Sequence, residues 1–279
     1  GLGDVYKRQS SYSAIKSGTY NGDVDKQMKK VIEYFETKQA AAEIYVGTDY
    51  KETSISSNVY KIIRNCQLQG GLAIACGDAG IGKTQACRQY YREHGTNCTY
   101  ITVNPCIKSS KSVLELIGSK LNVSSGSVSR LWLEISSKLS DGMVIIVDEA
   151  QHLTRNAIDT LRSLCDCFDE KGQTLGICFV GNETTVSRLG GKQKAEFAQI
   201  RNRTKNTRFY SVKQIKKSDI EMLFPDIRED AAAVEFLLRI AQSPQAIRGA
   251  VNLYSNALDN GNVTAKGLSA IAKYMDMAV

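Results

Sequence analysis

A glycine-rich segment that ends in lysine and threonine constrains this chain more than any other feature of its sequence. Residues 77–84 read GDAGIGKT, after the apolar run LAIAC at 72–76 and before a predicted helix at 83–93. Glycines let backbone N–H groups close around phosphate oxygens, and the start of the following helix adds a favourable dipole. The segment therefore predicts a phosphate-binding loop that consists of Gly77, Asp78, Ala79, Gly80, Ile81, Gly82, Lys83 and Thr84.

The last two residues of this loop have distinct expected roles. Lys83 is expected to reach the β- and γ-phosphates of a nucleotide, and the Thr84 hydroxyl is expected to bind Mg²⁺. The predicted cofactors are therefore ATP and Mg²⁺.

Two carboxylates follow an apolar run further along the chain. Residues 143–147, MVIIV, are apolar on both faces, as expected of a central parallel strand. A carboxylate at the carboxyl end of such a strand faces the crevice where open α/β sheets bind ligands. We therefore expect Asp148 to hold Mg²⁺ and Glu149 to orient or deprotonate the attacking water. A helix cap is the alternative for an isolated Asp-Glu pair.

Asn182 follows the predicted strand at 174–180. A polar residue at the end of the strand beside Asp148 and Glu149 could hold the attacking water from the other side. An ordinary helix N-cap is the alternative role for this asparagine.

Alternating strands and helices predict the fold class, an α/β protein with a parallel sheet of five strands covered by helices on both sides. The strands are predicted at 72–76, 98–103, 143–147, 174–180 and, at one edge, near 207–212. The helices of this region are predicted at 58–68, 83–93, 111–121, 127–139 and 155–168.

After Lys217 only helices are predicted, near 218–224, 229–241, 245–258 and 264–276, which indicates a small helical lid. Val24, Met28, Val31, Ile32 and Phe35 lie at helical spacing and predict an N-terminal helix before a linker at 47–57. The expected divisions are 10–44, 45–217 and 218–279.

Residues 1–9 are treated separately. Residues 4–9, DVYKRQ, are what GATGTGTATAAGAGACAG encodes, a string that resembles a transposase adapter end used in sequencing libraries. We expect residues 1–9 to be a non-native scar.

Charge is concentrated in one stretch of the chain. The formal net charge is +7, and residues 188–217 contain ten Lys or Arg residues against one acid, Glu196. A polyanionic partner is one interpretation, and a solvated charged face is the other. No apolar run approaches the ~18 residues that span a bilayer, so no membrane partner is expected. The eight cysteines form no CxxC pair and are expected to be buried free thiols in a reducing cytoplasm.

The order of these motifs resembles that of AAA+ ATPases over residues 45–260. Within that class the chain is similar to the transposition ATPases of the Mu protein B group, which include B-type target-DNA regulators and the C subunits of Tn7-like transposons. The segments that carry this resemblance are IIVDEAQHL at 145–153, AIDTLR at 157–162, VGNE at 180–183 and FAQIRNR at 197–203. SAIKSGTYNGD at 13–23 resembles the end of their helix-turn-helix domain, here truncated.

The resemblance implies an ATPase that binds double-stranded DNA without sequence specificity and assembles with itself into a helical filament or ring. It also implies recruitment and activation of a DDE transposase, in a bacterial cytoplasm and from a phage or transposon gene. Asn182 matches the sensor-1 position and Arg248 the sensor-2 position. Arg203, or failing that Arg201, matches the arginine that completes a neighbouring subunit's site.

Two lysine sets are candidates for DNA contact. Lys108 and Lys111 follow the second strand, a segment that tends to line the channel of AAA+ assemblies. The downstream charge density favours the other set, Lys205, Lys213, Lys216 and Lys217. A loader or remodelling ATPase of the helicase-loader or secretion type, acting on a protein partner, is the alternative function.

Overall fold

The computed structural model describes residues 13–43, 50–185 and 204–277. The chain divides into two compact units, Gly1–Thr48 and Asp49–Val279. The first unit contains a helical turn at 13–16 and helix α1, Val24–Glu43. The N-terminal helix predicted from apolar spacing is therefore confirmed. The proposed scar at 1–9 lies outside the described residues.

The second unit is organised around a parallel sheet of five strands in the order β2-β3-β4-β1-β5. The strands are β1 Gly71–Gly77, β2 Cys98–Thr102, β3 Met143–Asp148, β4 Leu175–Gly181 and β5 Thr204–Tyr210. Every residue of β3 and β4 is buried, whereas most of β5 is exposed or half-buried. The prediction of a parallel sheet with an edge strand near 207–212 is confirmed, and that strand begins three residues earlier.

Five helices of the second unit are α2 Ser54–Gln69, α3 Lys83–His94, α4 Ser110–Lys120, α5 Val128–Lys138 and α6 Arg155–Asp169. The predicted linker at 47–57 is wrong in its last residues, because α2 already begins at Ser54. The Thr53 hydroxyl caps this helix by accepting a hydrogen bond from the Ser56 backbone N–H. Ile55 is buried at helical spacing with Val59 and Ile62, so the prediction missed the first turn of a pattern that the sequence contains.

Successive side chains along the strands point to opposite faces of the sheet, and both faces are buried. Ile145 and Val147 of β3 pack in one cluster with residues of α4, α5 and α6. Val144 and Ile146 of the same strand point the other way and are equally buried. The residues at the carboxyl ends of the strands are therefore held in a rigid layer, and this edge carries the predicted site.

Only helices and helical turns follow β5 in the described residues, as predicted: α7 Lys217–Leu223, α8 Ala231–Ala241, α9 Ala246–Asp259 and α10 Ala265–Tyr274, with short 3-10 turns at Val212–Gln214 and Pro225–Ile227. The Asp219 carboxylate accepts hydrogen bonds from the backbone N–H of Ser54 (2.7 Å) and of Lys216 (2.9 Å). This buried carboxylate ties α7 to the start of α2.

Six of the eight cysteines are buried, Cys106 is exposed, and all are free thiols. Across the described ranges, no helix combines the length and apolar character needed to cross a bilayer.

Candidate nucleotide site

The predicted phosphate-binding loop joins the end of β1 to the start of α3. Gly80 and Gly82 have φ angles of 77° and 98°, in the left-handed region that favours glycine. A Cβ atom on Gly80 would lie 3.2 Å from the Cβ atoms of Ala246 and Arg248. Both glycines therefore allow the left-handed backbone of the loop, and Gly80 also allows Ala246 and Arg248 to approach it closely.

The end of β5 fixes the first part of the loop. The Asp78 backbone N–H donates to the Tyr210 carbonyl oxygen (3.0 Å), and the Asp78 carboxylate accepts from the Val212 backbone N–H (2.8 Å). A Cβ on Gly77 would lie only 2.0 Å from the Tyr210 carbonyl oxygen. The Asp78 side chain and its backbone N–H thus brace the loop against the end of β5.

The Lys83 side chain lies inside the loop. Its ammonium group donates to the carbonyl oxygens of Gly77 (3.0 Å) and Asp78 (2.6 Å), and the residue is 9% exposed. Burial lowers the pKa of Lys83, while the nearby carboxylates of Asp148 and Glu149 act in the opposite direction. Two backbone carbonyl oxygens therefore hold the Lys83 ammonium group in place, and the carboxylates of Asp148 and Glu149 favour its charged form.

Asp148 and Thr84, the two predicted Mg²⁺ ligands, are in direct contact. A hydrogen bond from Thr84 reaches the Asp148 carboxylate, which also accepts from the Tyr100 hydroxyl (3.0 Å) and the Glu149 backbone N–H (2.9 Å). Burial raises the pKa of Asp148, and the bonds from Thr84 and Tyr100 oppose that shift. Sequence reasoning missed Tyr100.

This donor set fits a magnesium ion. Mg²⁺ prefers oxygen ligands and is often held by one or two carboxylates together with substrate phosphates. Thr84 and Asp148 supply such oxygens next to the phosphate loop. Among the described residues, no group of three or more His, Cys, Asp or Glu side chains could hold a metal ion alone.

Glu149 begins a sharp turn after β3. Its φ and ψ are 58° and 33°, an unusual conformation for a residue with a side chain. Its carboxylate accepts a hydrogen bond from the Gln151 side-chain amide. The same amide group accepts from the Asn182 backbone N–H (3.2 Å). Gln151 was not predicted as a site residue.

Asn182 lies at the end of β4, which neighbours β3 as the sequence predicted. Its side-chain oxygen accepts from the Thr184 backbone N–H (3.0 Å) and hydroxyl (2.6 Å). The capping interaction weighed for this residue is therefore present, and its role toward an attacking water stays a prediction.

Arg248 is the third residue of α9, and its backbone N–H donates to the Gly80 carbonyl oxygen (3.2 Å). The side chain is exposed. The sensor-2 candidate is thus adjacent to the phosphate loop, and its role stays a prediction. Arg201 and Arg203 lie outside the described residues.

The two lysine sets lie at opposite edges of the sheet. Lys108 and Lys111 follow β2, and the ammonium of Lys111 is 3.9 Å from the Glu115 carboxylate. The other set, Lys205, Lys213, Lys216 and Lys217, lies on β5 and the residues after it. Four strand spacings of ~4.8 Å separate the edges by about 19 Å.

A groove of about 510 Å³ runs between α2 and β5. In the described part of the chain its lining includes the exposed cations Lys61, Arg208 and Lys216, the amides of Asn58 and Asn206, and no carboxylate. Lys205 is beside it, with its ammonium donating to the Gln69 carbonyl oxygen. We call this the basic groove. Lys61 and Arg208 were not among the predicted DNA contacts.

Comparison with known proteins shows what this chain is similar to. A protein-family profile described as AAA domain matches residues 66–189. The ATP-dependent target DNA activator B of Escherichia phage Mu is 28% identical over 94% of this chain and 85% of its own length, as is that of phage D108. The Mu-like prophage FluMu DNA transposition protein B of Haemophilus influenzae is 28% identical over 87% of this chain and 85% of its own length.

Solved structures with low sequence identity share the fold. A point mutant of Thermotoga maritima RuvB superposes with a TM-score of 0.52 at 15% identity, covering 82% of this chain and 75% of that one. Aeropyrum pernix ORC1, solved in complex with DNA, gives a TM-score of 0.55 at 14% identity, covering 80% and 64%. The resemblance predicted from sequence motifs is confirmed: the chain is an ATPase with an AAA-type α/β P-loop fold, similar over most of its length to the transposition B proteins of Mu-like phages.

Proposed function

We propose that this ATPase acts in the activation of target DNA for transposition. The supporting observation is the extent of the similarity, which covers 94% of the chain and 85% of the phage Mu protein. The AAA profile spans only residues 66–189. The similarity therefore extends beyond the AAA domain and includes the lid.

The contacts at the sheet edge support the proposed nucleotide roles. Lys83 and the loop backbone bind the phosphates of ATP, and Thr84 and Asp148 hold Mg²⁺, which supplies charge neutralisation when bound. Glu149, one residue beyond Asp148, orients or deprotonates the attacking water. Asn182, after the neighbouring strand β4, and Arg248, in the lid, lie near the γ-phosphate.

Double-stranded DNA is bound through its phosphates and without sequence specificity, because a protein that accepts many targets cannot depend on base edges. Among the two candidate regions, the basic groove is favoured. Lys61, Arg208 and Lys216 converge there, in a lining that contains no carboxylate among the described residues. The exposed ion pairs do not separate the two sets, since Lys111 is paired with Glu115 and Lys217 with Glu221. Lys205, Lys213 and Lys217 extend this positive surface.

Self-association into a filament or ring brings an arginine of one subunit to the nucleotide of the next, and Arg203 is the first candidate, Arg201 the second. Mixing an R203A protein with a K83A protein tests this assignment. A mixed interface that joins an intact loop to an intact arginine should restore part of the ATPase activity. Absence of rescue at every ratio, with co-assembly verified, contradicts it.

The function is tested by electron microscopy and sedimentation with random-sequence duplex and a non-hydrolysable ATP analogue, followed by strand-transfer assays with a DDE transposase. ATP-dependent assemblies on DNA that stimulate transposition are the expected outcome. If the protein leaves duplex DNA unbound and instead remodels a protein partner such as a helicase ring, the loader function replaces this proposal.

A further inference from the structure

The side chain of Gln151 connects the ends of two neighbouring strands. Its amide nitrogen donates to the Glu149 carboxylate after β3, and its amide oxygen accepts from the Asn182 backbone N–H after β4, at 3.2 Å. Both ends of one rigid, planar amide are thus engaged. The group lies in the half-buried 3-10 turn Ala150–His152.

Gly181 leaves the space that this arrangement needs. A Cβ atom at that position would lie 2.4 Å from the Gln151 amide oxygen and 2.3 Å from the Thr185 hydroxyl oxygen. Any side chain larger than hydrogen would therefore displace the amide or the hydroxyl. Gly181 has no positive φ angle, so close approach, rather than backbone conformation, explains the glycine here.

We propose that Gln151 is a positioning residue that fixes the Glu149 carboxylate relative to the end of β4. The backbone of Glu149 is held in the left-handed region, but its side chain still has several rotatable bonds. A hydrogen bond from a group anchored on the adjacent strand selects one orientation of the carboxylate. The inference rests on the proposed role of Glu149 as the base.

The arrangement also couples the two polar ends of the site. Asn182 and Glu149 belong to different strands, and Gln151 is a direct hydrogen-bonded link between them. A displacement of the β4 end therefore reorients the carboxylate, which gives the neighbouring strand a route to control hydrolysis without changing the phosphate loop.

The first test is Q151A. We expect kcat for ATP hydrolysis to fall roughly 10- to 100-fold, since displacement of a reacting group by about 1 Å can cost about 10²-fold. Nucleotide affinity, measured with a fluorescent ATP analogue, should stay within about twofold, because the loop and Lys83 are untouched. An unchanged kcat, or a loss of affinity as large as the loss of kcat, overturns the proposal.

Q151E tests the hydrogen bond with nearly the same shape, so it guards against a folding defect. Its added carboxylate faces the Glu149 carboxylate and has no proton to donate at pH 8. We expect activity near that of Q151A at pH 8 and a partial recovery as the pH falls and a donor proton returns. Wild-type activity at pH 8 would contradict the positioning role.

G181A provides an independent route to the same defect. Its Cβ displaces the Gln151 amide, so G181A should lower kcat, and adding Q151A should lower it little further. Fully multiplicative losses would show that the two residues act separately and would overturn the link. Failure of the proposed role of Glu149 as the base is distinguishable, because E149Q would then hydrolyse ATP at the wild-type rate whatever the result with Gln151.

Discussion

The nucleotide site and the basic groove lie on neighbouring strands but are built in opposite ways. At the nucleotide site, Lys83 is 9% exposed and Asp148 2%, and both make hydrogen bonds inside the fold. In the basic groove, Lys61, Arg208 and Lys216 are exposed. Buried, partnered charges lose much when one partner is removed, whereas exposed cations contribute small and additive amounts. The two regions should therefore differ in how strongly they respond to single substitutions.

The largest expected effect is that of K83A. Removing the ammonium leaves phosphate charge without its nearest cation, and each charge-assisted hydrogen bond contributes about 1.5–3 kcal/mol. ATP affinity should fall at least about 100-fold in a direct binding assay, with hydrolysis lost. K61A, a lysine variant in the basic groove, is the control and should keep wild-type ATP affinity. Equal losses in both variants would break the distinction between the regions.

E149Q should separate binding from chemistry inside the nucleotide site. The amide keeps the size of the side chain but cannot accept a proton from water, and general-base catalysis typically contributes about 10²–10⁴-fold. Hydrolysis should fall by that factor, ATP should still bind, and DNA complexes should last longer. Measured ATP turnover equal to that of the wild type would exclude Glu149 as the base.

Y100F should have a moderate effect. The Tyr100 hydroxyl donates to the Asp148 carboxylate and lowers the pKa of this buried acid. Without that bond the Asp148 carboxylate loses a donor that orients it and that opposes the rise of its pKa on burial, so it holds Mg²⁺ less well. The Mg²⁺ concentration for half-maximal ATPase activity should rise roughly tenfold, and more at lower pH.

The neighbouring Tyr91, whose ring centroid is 6.1 Å from that of Tyr100, supplies the matched control, Y91F. A Mg²⁺ requirement that is unchanged in Y100F, or raised equally in Y91F, would show that the bond to Asp148 does not support metal binding.

The smallest effects are expected in the basic groove. Replacing one cation that contacts a phosphate should reduce the slope of log affinity against log salt by about 0.9. Between about 50 and 200 mM salt that slope change amounts to roughly threefold in affinity. R208A and K216A should behave in this way on random duplexes, and K111A should not. If only K111A reduces the salt slope, the DNA-binding surface lies at the β2 edge instead of in the basic groove.

Sequence patterns were sufficient for features that depend on neighbours along the chain. The glycine and lysine spacing predicted the loop, and the apolar run before Asp148 predicted β3. Because carboxyl ends of parallel strands meet at one edge, the contact between Thr84 and Asp148 also followed.

The features that the sequence did not reveal depend on strand order and register. Thr102 pairs with Asp148 across β2 and β3, and this register brings Tyr100 to the carboxylate. The adjacency of β3 and β4 was predicted, but the left-handed turn at Glu149 that brings Gln151 to Asn182 was not. Lys61 and Arg208 are brought together by the packing of α2 near β5. None of these pairs is separated by a spacing that a local pattern could detect.

The hydrogen bond from Arg248 to Gly80 has a mechanical consequence. Ala246, the first residue of α9, is 0% exposed and has a φ angle of 55°, so this helix starts from a tight, buried pivot against the loop. At ~1.5 Å per residue its 14 residues extend about 21 Å. A tilt of about 10° at the pivot would move the far end by about 4 Å. Helix α9 thus has the geometry of a lever arm whose fixed end contacts the phosphate loop at Gly80.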